Sequence, residues 1–205
     1  MAKKNKSPAN SEAPAAKRPS ARDRVFRAAA ELFYHKGIRA VGVETIAAEA
    51  DTTKMSLYRS FPSKDELVAA WLHNHDANFW IAWDAMTQQY PKDPRKQLRT
   101  AFALLAKHVA DPNARGCPMA NAAVELTEKD HPARQVIEAH KTKLRTRLAQ
   151  MCAQMKANEP ELLADELFLL MEGAQVSIQT LGIAGPATKV ALAADVLIDA
   201  HLRAL

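Results

Sequence analysis

The stretch Val43–Lys64, "VETIAAEADTTKMSLYRSFPSK", decides how this chain is read. Ile46, Ala47 and Ala50 fall on one side of a short helix, Asp51 is a residue that tolerates a tight left-handed turn, and Thr52 or Thr53 caps a second short helix. Leu57 is the one large apolar residue placed to bury that second helix against the first. Pro62 stops it, and Ser63 with Glu66 three residues on opens another. This is the steric skeleton of a helix-turn-helix, with a small residue, Ala47, where the two helices cross. The rest of the second helix has little to bury. Thr52, Thr53, Lys54 and Ser56 are short or hydrogen-bonding, as a helix inserted by its N-terminal residues into a major groove requires. Tyr58, Arg59 and Lys64 suit phosphate contacts, which set register and affinity without reading sequence.

Charge agrees with that reading. The net charge of +5 lies wholly in residues 1–70, which hold 13 Lys and Arg against 8 Asp and Glu, while the remainder is balanced. A basic end on a neutral body suits an anionic partner such as nucleic acid, and equally a solvated lysine tail, between which charge alone does not choose. Residues 1–20 are rich in Pro, Ala, Ser and Lys with almost nothing to bury, and are expected to form a disordered basic tail. Gly is scarce, at 6, and no alternating β-branched run appears, so the expected class is all-α. No apolar run is long enough for a membrane span, and no apolar segment follows the first lysines as in a secretory signal. Two cysteines without metal-ligand spacing complete the expectation of a reduced, cytoplasmic protein.

Outward from the decisive stretch, a first helix is read over about 21–36, with Val25, Ala29, Leu32 and Phe33 as its stripe and Gly37 beyond its end. A long helix follows Ser63 and carries Leu67, Trp71, His75, Phe79, Ala82 and Met86 at helical intervals. Pro118, Pro132 and Pro160 each open a later helix, and a last helix holds Val190, Ala194, Leu197 and Ile198. The count is nine, dividing into a tail (1–20), a helix-turn-helix head (21–66) and a helical body (67–205). His75, His108 and His140 sit on or beside inward stripes of three helices, as satisfied core or rim histidines or as polar anchors of a cavity. Nothing fixes the three together, so no metal is expected. Gly-rich phosphate loops, nucleophile elbows and metal-spaced helices are absent, so neither a cofactor nor an enzymatic activity is expected.

The run "GIRAVGVETIAAEADTTKMSLYRSFPSKDELVAAWL", residues 37–72, together with "ELFYHKG" at the end of the first helix, resembles the TetR family of bacterial transcriptional repressors. Ile46-Ala47, Leu57-Tyr58-Arg59, Phe61, Ser63-Lys64 and Leu67 carry the likeness. Asp51 departs from a frequent Gly, Met55 from a small residue, Ser60 from a frequent His, and Gly42-Val43 from a frequent Thr. The resemblance implies a nine-helix fold and a regulatory body whose first long helix lines an effector cavity. Trp71, His75, Trp83, Phe102, His108, Met171 and Gln175, inward residues mixing apolar walls with a few polar groups, are the candidate ligand contacts. Phe168-Leu169-Leu170 and Val196-Leu197-Ile198 give the last two long helices more apolar face than one chain needs, so a homodimer and a near-palindromic operator are expected. The competing reading keeps the head but gives the body a protein partner, an exposed apolar patch and no cavity. Cys117, ahead of Pro118 and near Arg115, is expected at a helix N-cap and is a redox candidate, with Cys152 as the inert control.

Overall fold

The computed structural model describes residues 18–202, so the expected tail lies almost entirely outside the described residues. Nine α-helices occur among them: α1 (Ala21–Lys36), α2 (Val43–Glu49), α3 (Lys54–Ser60), α4 (Lys64–Gln88), α5 (Pro94–Val109), α6 (Pro118–Glu125), α7 (Pro132–Gln154), α8 (Pro160–Leu181) and α9 (Val190–Leu202). The starts follow from capping chemistry. Ser20, Thr53, Ser63 and Asp93 each accept a backbone N–H of the first turn, and Pro stands at the head of α5, α6, α7 and α8. One element differs from expectation. The region after Gly185 begins with a 3₁₀ turn, Pro186–Lys189, before α9 proper, because the ring of Pro186 fixes only the tight first turn.

Two hydrophobic clusters hold these helices. The first joins α1, α2 and α3 to the opening turns of α4, where Leu67, Val68 and Leu72 are fully buried, and continues through Met119 and Ala122 of α6 into the start of α7. The second packs the far half of α4 against α5, α7, α8 and α9 around Phe102, Leu148, Leu163, Leu167 and Ile198. Each such side chain withdrawn from water contributes about 1.5–3 kcal/mol before entropy is subtracted. The head therefore does not end at the chain position where α4 begins: its core runs on through α4 to α6. Polar ties reinforce the same joint. Arg39 donates its backbone N–H to Glu125 at 2.9 Å and reaches Glu128 at 3.3 Å. The Tyr34 hydroxyl accepts from the Arg115 N–H at 2.8 Å, while the Arg115 guanidinium donates to the His35 carbonyl at 2.6 Å.

Candidate functional site

The head presents a helix-turn-helix whose turn is locked from three sides. Asp51 takes φ 47°, the left-handed conformation expected of it. The Thr52 N–H returns to the Ala47 carbonyl at 3.0 Å. Arg24, on α1, donates to the carbonyls of Ala50 at 3.0 Å and Asp51 at 3.1 Å, so one guanidinium holds the C-terminal end of α2. Ile46, Ala47, Ala50 and Leu57 are buried beneath the turn. The sequence reading left Arg24 unassigned, because its carbonyl partners lie 26 and 27 residues away.

The outer face of α3 carries Thr53, Lys54, Met55, Tyr58 and Arg59, all exposed, with Thr52 and Ser56 half-buried at its edge. Thr53 is the cap and accepts the Ser56 N–H at 3.2 Å. Lys54 is tied to Glu44 at 2.5 Å; the hydrogen bond and charge of Lys54 hold the Glu44 carboxyl below its usual range, and Glu44 raises the ammonium in turn. Both groups are solvated, so that pair is easily exchanged for another anion. Met55, at 73% exposure, puts an apolar side chain among the positions expected to face the groove. Lys64 behaves differently from the phosphate contact expected of it. Its ammonium donates to the Ile38 carbonyl at 2.6 Å, and burial holds its pKa below the ordinary lysine value. Four residues past the end of α3, its short reach is satisfied by the nearby α1–α2 loop.

Between the two hydrophobic clusters the body holds a cavity of about 580 Å³, open to solvent past Glu31, Leu104 and His108. Six of the seven expected contacts line it: Trp71, His75, Trp83, His108, Met171 and Gln175. Phe102 does not. It is fully buried on the row Leu98–Phe102–Leu105–Val109, whereas the cavity takes the neighbouring row Ala101–Leu104–Leu105–His108, about 100° around the same helix. Four further wall residues are chemically important and were not chosen from the sequence: Tyr34, Phe79, His140 and Lys141. Phe79 stacks on Trp83 with centroids 5.8 Å apart and meets His140 edge-on at 4.9 Å. His75 is held at a pKa of about 4, first by burial and then by the neighbouring His140, Lys141 and His108, with Asp76 opposing. It is therefore neutral at physiological pH.

Ala30, Glu31 and Tyr34 of α1 also line this cavity, so a helix of the DNA-facing head forms part of the wall of the body's pocket. Cys117 stands at the N-cap of α6 as expected, but its sulfur caps no N–H. The cation beside it is Lys141, whose Nζ lies 3.5 Å from Sγ and 2.5 Å from Glu172, because Arg115 is turned away to His35. Cys152 is sealed within α7, and burial pushes its thiol up to about 12. No group of three or more metal-ligating side chains occurs among the described residues, and no helix among them is long and apolar enough to cross a membrane.

Comparison with known proteins bears on both halves of the chain. Residues 25–71 match the family "Bacterial regulatory proteins, tetR family", and residues 94–194 match "Tetracyclin repressor-like, C-terminal domain". Among solved structures, a TetR-type transcriptional regulator of Streptomyces avermitilis is 28% identical, with a TM-score of 0.76 over 89% of this chain and 98% of that one. A TetR-family transcriptional regulator from Streptomyces coelicolor is 25% identical, with a TM-score of 0.80 over 89% and 96%. A TetR-family regulator from Agrobacterium tumefaciens, at 18% identity and a TM-score of 0.77 over 88% and 97%, shares the fold. No curated protein sequence matches significantly. A locked helix-turn-helix with a cationic outer face, a helical body built around a cavity, and family matches over both segments lead to one conclusion: the chain belongs to the TetR family of DNA-binding transcriptional regulators, a family of non-enzymatic proteins.

Proposed function

We propose that this regulator is a homodimeric repressor, held on a near-palindromic operator by α3 and released when a small, mostly apolar molecule fills the cavity of the body. The observation that carries the reading is the shared wall. A molecule between Trp71, Phe79, Trp83 and Met171 also touches Ala30, Glu31 and Tyr34 of α1, and so acts on the head without an intermediary. Such a molecule releases DNA only if it binds more tightly to the arrangement of heads that misfits the operator; equal affinity for both arrangements shifts nothing. The partner-docking alternative required a body without an interior cavity, and the cavity argues against it. Exposed apolar residues stand singly on α3 to α6, as Met55, Ile81, Leu104 and Val124, but gather on α8 and α9, where Leu162, Leu169 and Val176 recur every seven residues and Leu192 and Val196 stand one turn apart. That stripe suits a second copy of the chain.

The test uses duplex DNA selected from a random pool by the protein itself and the neutral apolar dye N-phenyl-1-naphthylamine as cavity occupant. The selected sites are expected to show two-fold symmetry, and the dye to bind once per chain and to lose binding in Ala101→Trp, which fills the cavity. Asymmetric sites, or dye binding that Ala101→Trp leaves unchanged, would contradict the reading.

One observation favours a second reading, release by oxidation of Cys117: the sulfur lies in the cavity wall, 3.5 Å from the Lys141 Nζ. Hydrogen peroxide would transfer one oxygen to the Cys117 thiol, giving a sulfenic acid and water. Loss of operator binding on peroxide treatment that is abolished in Cys117→Ser supports it; equal loss in both proteins removes it.

A further inference from the structure

His140 is the most deeply buried polar residue of the cavity wall, at 3% exposure. Its Nδ1 lies 2.7 Å from Oδ1 of Asp76, an oxygen that also accepts the Trp80 indole N–H at 2.7 Å. A carboxylate only accepts, so Nδ1 carries the proton and Nε2 is left as a bare lone pair. Nε2 has no hydrogen-bond partner among the described residues. Yet no side-chain nitrogen or oxygen among them is both sealed from solvent and unpaired. Nε2 therefore opens on free space, and the free space that His140 borders is the cavity. What the wall lacks at this point is a hydrogen-bond donor.

The surroundings define the rest of the missing molecule. Phe79 and Trp83 stack as a pair beside His140, with His75 6.2 Å from its ring. These rings form an aromatic wall against which a flat aromatic body can stack. Inside the cavity the Lys141 ammonium is matched by Glu172 at 2.5 Å, so no unpaired cation is offered to an anion, while the Glu31 carboxylate stands exposed at its edge. Burial first, then His140, with smaller contributions from Lys141 and His108, keeps His75 uncharged against the opposing charge of Asp76. Burial likewise lowers the pKa of His140, against the hydrogen bond that its ring donates to Asp76.

We infer that the cavity takes an uncharged aromatic molecule bearing a hydroxyl, whose O–H donates to Nε2 of His140, with Asp76 as a positioning residue that fixes the His140 tautomer. The inference rests on the reading of the cavity as the effector site and names the class of effector. It assigns a specificity that the apolar walls alone would not provide, since a hydroxyl and a hydrogen or fluorine fill an apolar slot almost equally well, whereas an unsatisfied buried acceptor discriminates.

The experiment measures binding to the full chain by calorimetry and by quenching of tryptophan fluorescence. The probes are 4-phenylphenol, its donor-free isostere 4-fluorobiphenyl, and the cation biphenyl-4-yl-trimethylammonium. The phenol is expected to bind about tenfold more tightly than the fluoro compound. His140→Phe should erase that preference by weakening the phenol alone. Asp76→Asn, a second variant that leaves the ring in place, should also erase it and should move the Nε2 resonance from the unprotonated to the protonated range in nitrogen-15 spectra. Equal binding of phenol and isostere, or tighter binding of the cation, overturns the inference while leaving the cavity as a binding site. Failure of every probe to bind overturns the cavity reading itself.

Discussion

Arg59 and Lys64 carry the same charge five positions apart but differ in role: one is free to meet a phosphate and the other is committed to its own fold. Arg59 is exposed on the last turn of α3 and makes no hydrogen bond or ion pair among the described residues. Arg59→Ala should therefore weaken binding to all duplex sequences alike and lower the salt slope by about 1, read from operator affinity across a salt series. Lys64→Ala should leave that slope unchanged and instead cost about 1 kcal/mol of stability in denaturant unfolding, since it removes the bond to the Ile38 carbonyl. The His75 imidazole gives a second residue-scale prediction. Its folded pKa of about 4 lies below the ordinary 6.5, so between those values the unfolded chain takes up a proton that the native one refuses. Stability then falls as pH drops from 6.5 towards 4, by at most about 3 kcal/mol. His75→Gln should flatten the pH dependence of the unfolding midpoint in that window; an equally steep dependence in the variant would show that His75 is not its source.

At the scale of elements, the helices were legible because their ends are written in local chemistry. The caps at Thr53 and Ser63, the left-handed Asp51 and the Pro residues that open α5 to α8 act within a turn of the chain. The cavity was legible only as a set of inward stripes. Periodicity finds the buried row of α5, on which Phe102 lies, but the cavity takes the row one position away, where Leu104 and His108 are exposed. Ala30, Glu31 and Tyr34 read as the outer face of α1, and nothing local says that α6 and its preceding loop will cover them. The cation beside Cys117 was missed for the same reason: Lys141 is a neighbour only across α6 and α7. The loop before α6 makes a further prediction. Gly116 adopts φ +73°, and a Cβ there would lie 2.4 Å from the Gln175 carbonyl oxygen of α8. Gly116→Ala should cost about 1–3 kcal/mol and displace the loop from α8, loosening the cavity rim beside Cys117. Thermal unfolding checks the first and amide exchange in α6 the second; a neutral variant would mean that the loop does not depend on this close approach.

The whole molecule is a head and a body joined by a continuous core, with an apolar stripe left over. Leu169 and Val196 are 68% and 69% exposed on α8 and α9, and a second copy of the chain is the occupant proposed for them. Leu169→Glu with Val196→Glu should yield a folded monomer in sedimentation at micromolar concentration, with operator affinity reduced by at least about 100-fold, because one head alone gains no second half-site. A double variant that stays dimeric would move the interface elsewhere. The central claim is that the cavity and the DNA-facing helix are energetically coupled through the wall that α1 shares, and coupling must be reciprocal. The most direct measurement is therefore the dissociation constant of N-phenyl-1-naphthylamine for the dimer with and without saturating operator DNA. The account predicts that operator weakens dye binding at least about fivefold; the same dissociation constant with and without DNA would contradict it.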